Sequence, residues 1–400
     1  MKNKLLNITK YSALTIAMLS STAQAISFSE GYWTMDINGI IGGYYTQTEC
    51  KLDANPSAWS TFSACAGAED GEETASIQNG FLPGWINFIA TTTTDSGLDI
   101  KAHFGFSPGT SNPATSGGQA ARFAGAVAVN DVRNLYLSVT SDMGTLKIGR
   151  DAAIFQVDAT FSDITVPSVG TQANTAGGLN TTFGAVATGY TFMSFQPQIS
   201  YSSPVVNGLQ GNIGVFQPLA IQGNFAGAPV YNKTDTPQIQ GSVTYSIEGG
   251  SKLWASFVTQ EAEQSEALGG KSMRAKGYEL GGKLVLGDFT ANLSGFKGDA
   301  LGDGVMFLGA LDAAGEAVET SGYLANVAYK FGANKLSAQY GITENDDIDG
   351  AKNESFTLLY ARDVSPGLLW TVEYTAHTTS QTGFGDAEAN TVSTGMVLFF

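Results

Sequence analysis

Apolar and polar positions alternate at period two along most of this chain, in segments of about ten residues. The clearest runs from Gln238 to Ile247, where Ile239, Gly241, Val243, Tyr245 and Ile247 alternate with Gln238, Gln240, Ser242, Thr244 and Ser246. In Gly97 to Phe106, Leu98, Ile100, Ala102, Phe104 and Phe106 share one parity, and Asp99, Lys101, His103 and Gly105 the other. Successive strand side chains point to opposite faces, so each segment predicts a strand with one apolar and one polar face. Sixteen such segments can be placed, starting near Tyr32, Phe81, Gly97, Val132, Met143, Thr188, Asn207, Gln238, Ser251, Ala275, Asp288, Ser321, Lys335, Asn353, Gly367 and Ala389. Pro197 cannot donate to a ladder and predicts a bulge or a strand start.

The connections sort by length. Seven are tight turns, among them Asp95-Ser96, Ser141-Asp142, Glu248-Gly249-Gly250 and Ser365-Pro366-Gly367, and eight longer loops lie between them. An even strand number, with short turns at one end and long loops at the other, predicts an all-β fold: a transmembrane antiparallel barrel of the bacterial outer membrane. Its apolar parity faces lipid, and a ring of about sixteen strands encloses a lumen too wide for side chains to fill. Trp33, Tyr45, Tyr245, Tyr323, Tyr329 and Trp370 are candidates for the aromatic girdles. The final segment fits a closing strand, with Val392, Thr394, Met396, Leu398 and Phe400 on one face. Phe400, Leu398 and Met396 are the expected assembly signal for the barrel-assembly machinery.

At the start, Lys2, Lys4 and Lys10 precede a short apolar stretch, Ala13 to Leu19, and the small-x-small site Ala23-Gln24-Ala25. That pattern predicts a cleaved signal peptide over 1–25 and a barrel over 26–400. Removing it lowers the basic count from 20 to 17 against 36 acidic residues. So acidic a chain is a poor nucleic-acid partner, and the acidic balance suggests a mild cation preference for a channel. Outer-loop acids such as Glu69, Asp70, Glu261 and Asp346 could share divalent cations with lipopolysaccharide. Cys50 and Cys65 are the only cysteines and lie in the first long loop, so a disulfide stapling that loop is expected.

Enzymatic chemistry finds little footing. The two histidines, His103 and His377, lie on distant strands, and no serine sits in a Gly-x-Ser-x-Gly setting. The loop from Asn345 to Phe356 fails as a calcium loop, because position one is Asn345 and position twelve is Phe356. No cofactor or metal is implied. The inward parity offers Lys101, His103, Lys147, Glu279, Lys283 and Glu373 as lumen charges.

The stretch Val132 to Gly170 resembles the fourth and fifth strands and third loop of the Gram-negative general-diffusion porins. The shared features are Arg133 opening the strand, Gly149-Arg150, Asp158-Ala159, and Asp163 shortly before Pro167. The resemblance implies a trimer whose third loop, here about 151–187, folds into the lumen and narrows it. Asp163 would be the loop carboxylate, with Asp151 and Asp158 nearby and Arg133, Arg150, Lys101, Lys147 and His103 as constriction groups. Ser168 stands where the family commonly has glutamate, Trp85 where a wall arginine is usual, and Met193 and Ser194 are uncharged, so a weaker transverse field is expected. Strict alternation places Arg133 on the outward face; either a bulge intervenes or Arg133 sits at the rim.

The function expected is passive diffusion of small hydrophilic solutes across the outer membrane of a Gram-negative bacterium. An alternative is an oligosaccharide-selective channel, because Trp85 and Trp254 share inward parity and could stack on sugar rings. A non-conducting adhesin barrel is a further alternative, and it requires a blocked lumen.

Overall fold

In this computed structural model, residues 25–109, 131–172, 181–224, 230–265 and 269–400 are described. The expected signal peptide, apart from Ala25, lies outside them, as does part of the expected constriction loop (173–180). Twenty strands are present: β1 (Ile26–Glu30), β2 (Trp33–Leu52), β3 (Glu73–Gln78), β4 (Trp85–Thr93), β5 (Asp99–Ser107), β6 (Asp131–Ser141), β7 (Gly144–Ala152), β8 (Phe195–Ser202), β9 (Leu209–Phe216), β10 (Ile221–Gln222), β11 (Val230–Tyr231), β12 (Gln238–Ser246), β13 (Lys252–Glu263), β14 (Ser272–Leu286), β15 (Phe289–Asp299), β16 (Glu319–Phe331), β17 (Asn334–Asn345), β18 (Lys352–Ser365), β19 (Leu368–Ser380) and β20 (Ala387–Phe399). Among the described residues one short helix, α1 (Val157–Ser162), follows β7.

Pairing runs β2, β4 to β9, β12 to β20, and back from β20 to β2, so sixteen antiparallel strands close a ring. Closure removes every unpaired edge, which a strand surrounded by lipid requires. β3 continues the track of β4 along β2: Tyr44 to Glu49 pair with β3, and Thr34 to Ile40 with β4. β1 continues the track of β20 at the other end, with Phe399 opposite Ile40 and Ile26 opposite Ile37.

The parities separate as alternation predicts. Leu135, Leu137, Leu146, Ile148, Leu280, Leu293 and Leu358 are exposed on the outside of the ring, while Ser355, Thr357, Thr371, Thr375 and Ser393 are buried inside it. Burying polar atoms and exposing leucine is unfavourable in water, so this surface is built for an apolar surrounding. Trp33, Tyr45, Tyr245, Tyr323 and Tyr329 are also exposed. Among the described residues, no helix is long and apolar enough to cross a membrane.

Fifteen of the sixteen expected segments begin within four residues of an observed strand; the sixth departs. Its expected start, Thr188, lies seven residues before Phe195 because Thr188 and Gly189 are held elsewhere. The Thr188 hydroxyl bonds Ser355 Oγ at 2.7 Å, and the Gly189 N–H donates to Thr343 Oγ1 at 3.2 Å. Pro197 sits near the start of β8, and its carbonyl accepts the Gln217 N–H.

Candidate functional site

The described residues between Ala153 and Ser194 make hydrogen bonds with inward-facing side chains on widely separated strands. Gln240 of β12 accepts the N–H groups of Ile154 and Phe155 at 2.9 and 2.8 Å. Asn326 of β16 donates to the Ser162 carbonyl at 2.8 Å, and the Ile164 N–H donates to Gln339 of β17 at 3.0 Å. Glu373 of β19 accepts the Gly170 N–H at 2.7 Å, and Tyr44 of β2 donates to the Pro167 carbonyl at 2.8 Å. A second chain of amides backs these bonds: Gln240 donates to Gln196 and Gln238, and Gln238 donates to Gln260. These glutamines were expected to line water. They are buried instead, because loop backbone entering a barrel needs partners that the lumen wall must supply. Gly170 adopts φ +69° where the loop doubles back, and a Cβ there would meet Gly184 Cα at 2.4 Å.

Asp163 does not present its charge to the lumen. It is 3% exposed and accepts bonds from the Thr165 N–H and hydroxyl, the Ala185 N–H, the Tyr190 hydroxyl and Gln339 Nε2, all at 2.7–2.9 Å. It ties the loop's outgoing and returning limbs to β17. Burial and the adjacent Asp163 carboxylate push the Tyr190 hydroxyl well above its ordinary pKa. Asp158, in the first turn of α1, is ion-paired with Lys252 of β13.

The opposite wall gathers the other expected groups. Lys147 and Asp151 of β7 are ion-paired, and Asn134 of β6 donates to Asp151 at 2.7 Å. Lys101 and Lys147 stand over the Tyr136 ring at 5.6 and 5.0 Å from its centroid, and His103 packs edge-on against the same ring. His103 Nε2 bonds Asn87 Oδ1 at 2.9 Å. Lys101, His103 and Lys147 are only half-buried although they face inward.

Arg133 resolves through a bulge: Gly105 pairs with Asn134 and Phe106 with Val132, so Arg133 is the extra residue. Its guanidinium lies 5.3 Å from the Phe195 ring centroid. Arg150 shares the parity of Leu146 and Ile148, so it does not join the Lys101, Lys147 and Asp151 group.

Neither expected lumen tryptophan offers a ring face to a sugar. Trp85 is buried against Phe195. Trp254 is 2% exposed and donates to Glu279 at 2.8 Å. Its ring lies on Gly281, where a Cβ would come within 2.2 Å of it. Glu279 also bonds Ser256, so Glu279 and Glu373 anchor side chains and loop backbone.

At the long-loop end, Cys50 and Cys65 form the expected disulfide, with Cα atoms 5.6 Å apart. The stapled loop leans inward. Phe62 meets Phe183 of the third loop at 5.3 Å between centroids, and Thr61 donates to Asn224 at 2.7 Å. Asn224 in turn donates to Asp303, between β15 and β16, at 3.1 Å. Beside them Phe155, Ile221, Tyr231, Leu301, Met306 and Phe307 form an apolar core with the inward faces of β13 and β14. Part of the outer half of the ring is therefore filled, where open water was expected.

Residues 12–382 match the family model of the Gram-negative porins. The chain belongs to that family. This porin is therefore an integral outer-membrane protein. Solved structures agree on the fold. The outer membrane channel DcaP of Acinetobacter baumannii superposes with a TM-score of 0.67 at 12% identity, covering 93% of this chain and 99% of that one. An anion-selective porin from Comamonas acidovorans gives 0.65 at 15% identity, covering 92% and 100%. Salmonella typhi OmpF gives 0.55 at 12% identity, covering 92% and 100%. No curated protein matches this porin by sequence.

Proposed function

We propose that the porin is a passive diffusion channel for small hydrophilic solutes, narrowed inside the ring by the segment 151–187. The observation that carries this reading is the pairing of an apolar exterior with half-buried charges indoors. Lys101, Lys147, Lys283 and Lys335 all face inward yet are only partly buried, and a charge stands so only beside water. The loop's bonds to β12, β16, β17, β19 and β2 support a constriction lying along that side of the wall. The passage then lies between the loop and the Lys101, His103, Tyr136 and Lys147 wall.

Selectivity on this reading comes from size and charge, and no chemical step is assigned to any residue. With Trp85 and Trp254 buried, the sugar-selective alternative loses the side chains that favoured it. A homotrimer in the outer membrane, bordered by lipopolysaccharide and inserted by the barrel-assembly machinery through the Met396, Leu398 and Phe400 face, completes the proposal. The outer membrane protein OmpT of Vibrio cholerae, solved in a trimer form and superposing with a TM-score of 0.54, supports that assembly.

Single-channel recording of the refolded protein in planar bilayers tests this directly. Ohmic steps appearing in threes, unaffected by added maltooligosaccharide, are expected. A bilayer that stays silent would leave the adhesin reading standing.

A further inference from the structure

The loop between β2 and β3 is stitched to the wall along both of its limbs. On the outgoing limb, the Asp53 N–H donates to the Asp386 carbonyl at 3.0 Å, the Ser57 N–H to the Gly385 carbonyl at 2.8 Å, and the Gly385 N–H to the Asn55 carbonyl at 3.0 Å. These bonds fix it to the connection between β19 and β20. The returning limb is held on β19, where the Ala64 N–H donates to Thr379 Oγ1 at 2.7 Å, and Cys65 is tied back to Cys50 of β2. Trp59 donates to the Lys352 carbonyl at the start of β18. With its limbs anchored on this arc of the ring, the loop throws its tip, residues 59–62, forward over the mouth.

The tip lands on the far side. Thr61 donates to Asn224 Oδ1 at 2.7 Å, and Asn224 Nδ2 donates to the Trp59 carbonyl at 3.3 Å and to Asp303 Oδ2 at 3.1 Å. Asn224 belongs to the connection between β9 and β12, which stands about halfway round the ring from β2. Phe62 is 6% exposed and packs edge-on against Phe183. It also lies on Gly304, where a Cβ would meet Phe62 Cδ2 at 2.5 Å, and the Gly304 carbonyl accepts the Phe192 N–H at 2.7 Å. Connections that leave β2, β7, β9 and β15 therefore converge on one phenyl ring. Burying that ring away from water favours the closed arrangement, and the amide of Asn224 fixes where the tip sits.

We propose that residues 59–62 form a strap across the long-loop mouth that sets a size limit of its own, with Phe62 as the residue that decides it. The proposal rests on the channel reading above and adds a second narrowing to that of the segment 151–187. The two differ in construction. The inner one is loop backbone bonded to Gln240, Asn326, Gln339 and Glu373 of the wall. The outer one is a bridge from β2 to the connection between β9 and β12, meeting the third loop at the contact of Phe62 with Phe183. A bulky hydrophilic solute arriving at the long-loop end meets the strap first, and one arriving at the tight-turn end meets the inner narrowing first.

The test uses the full-length refolded porin in planar bilayers, with neutral polyethylene glycols of graded mass added to one chamber at a time. A polymer small enough to enter lowers the ion current and a larger one does not, so each side of the channel gives its own mass limit. The wild type should give a smaller limit from one side than from the other. In the Thr61→Ala, Phe62→Ala double variant the smaller limit should rise towards the larger, which stays where it was. Gly304→Ala, whose methyl group displaces the Phe62 ring without altering the strap itself, should act in the same direction. Equal limits from both sides in the wild type, or unchanged asymmetry in the double variant, would overturn the strap; wild-type limits in Gly304→Ala would overturn the part given to Phe62. A rise of both limits together would overturn its independence, since the third loop would have moved with it. Absence of any conductance overturns the channel reading itself, and the two failures are therefore distinct.

Discussion

Glu373 on β19 accepts the backbone N–H of Gly170, 203 positions earlier in the chain, at 2.7 Å, with the Val169 N–H at 3.4 Å from its other oxygen. A buried carboxylate holding a loop by its backbone is stronger than a neutral contact, and its loss strands two donors. Replacing Glu373 with alanine should cost about 1–3 kcal/mol of loop docking, because the donors lose their acceptor away from bulk water. Single-channel conductance should rise and become noisier. Glu373→Gln keeps one acceptor oxygen and should fall between the two. Equal conductance in all three proteins would show that this end of the loop does not narrow the passage.

Asp163 tests the loop from within. Its carboxylate receives five donors from Thr165, Ala185, Tyr190 and Gln339. Asn in its place turns one acceptor oxygen into a donor, which faces donors already present. Asp163→Asn should therefore loosen the loop at least as much as Glu373→Ala, while the barrel keeps its strand content by circular dichroism. If Asp163 instead acted as an exposed pore charge, the variant would change ion selectivity and leave loop proteolysis unaltered.

These two residues also show where sequence reasoning stops. Alternation in Gln238 to Ile247 or Gly97 to Phe106 reports a strand and its two faces, because period two is a local property of the backbone. It does not report what the inward face touches. Gln240 and Glu373 read as inward polar positions, and the structure turns each into a partner for loop backbone. Asp163 was legible as a loop carboxylate, but its burial depends on Tyr190 and Gln339, 27 and 176 positions away. Thr188 to Tyr190 continued the alternating pattern, so the late start of β8 at Phe195 was hidden. The Cys50 and Cys65 pair needed no such distant information, since they stand only 15 positions apart, although Cys50 proves to lie near the end of β2 rather than in the loop itself.

The disulfide gives the third prediction. Cross-linking a loop of this length restricts the open ensemble by about 3 kcal/mol on chain-entropy grounds. Cys50→Ser with Cys65→Ser should leave the sixteen-stranded ring intact, since β2 remains paired with β20 and β4. The inward lean of Phe62 onto Phe183 should be lost. Protease cleavage between residues 53 and 64 should accelerate about tenfold or more in the variant. Unchanged cleavage would mean that Trp59, which donates to the Lys352 carbonyl at 3.4 Å, and Thr61 hold the loop unaided.

Asp303 makes the contact among the outer loops dependent on pH. It is 1% exposed, and Asn224 Nδ2 donates to its Oδ2 at 3.1 Å. Burial outweighs the stabilisation that Ser60 and Asn224 give the carboxylate and pushes its carboxyl up to about 6 from an ordinary 3.8. A raised value means that the docked arrangement binds the proton more tightly than an open loop does. The resulting stabilisation is fully present below about 3.8 and is lost as pH rises through about 6. The segment between β15 and β16 should thus resist protease better near pH 5 than near pH 7.5, measured with an enzyme active at both. Asp303→Asn, which carries no titrating group, should remove the difference and hold the segment in its low-pH behaviour throughout. A pH dependence that survives in Asp303→Asn would show that Asp303 is not its source.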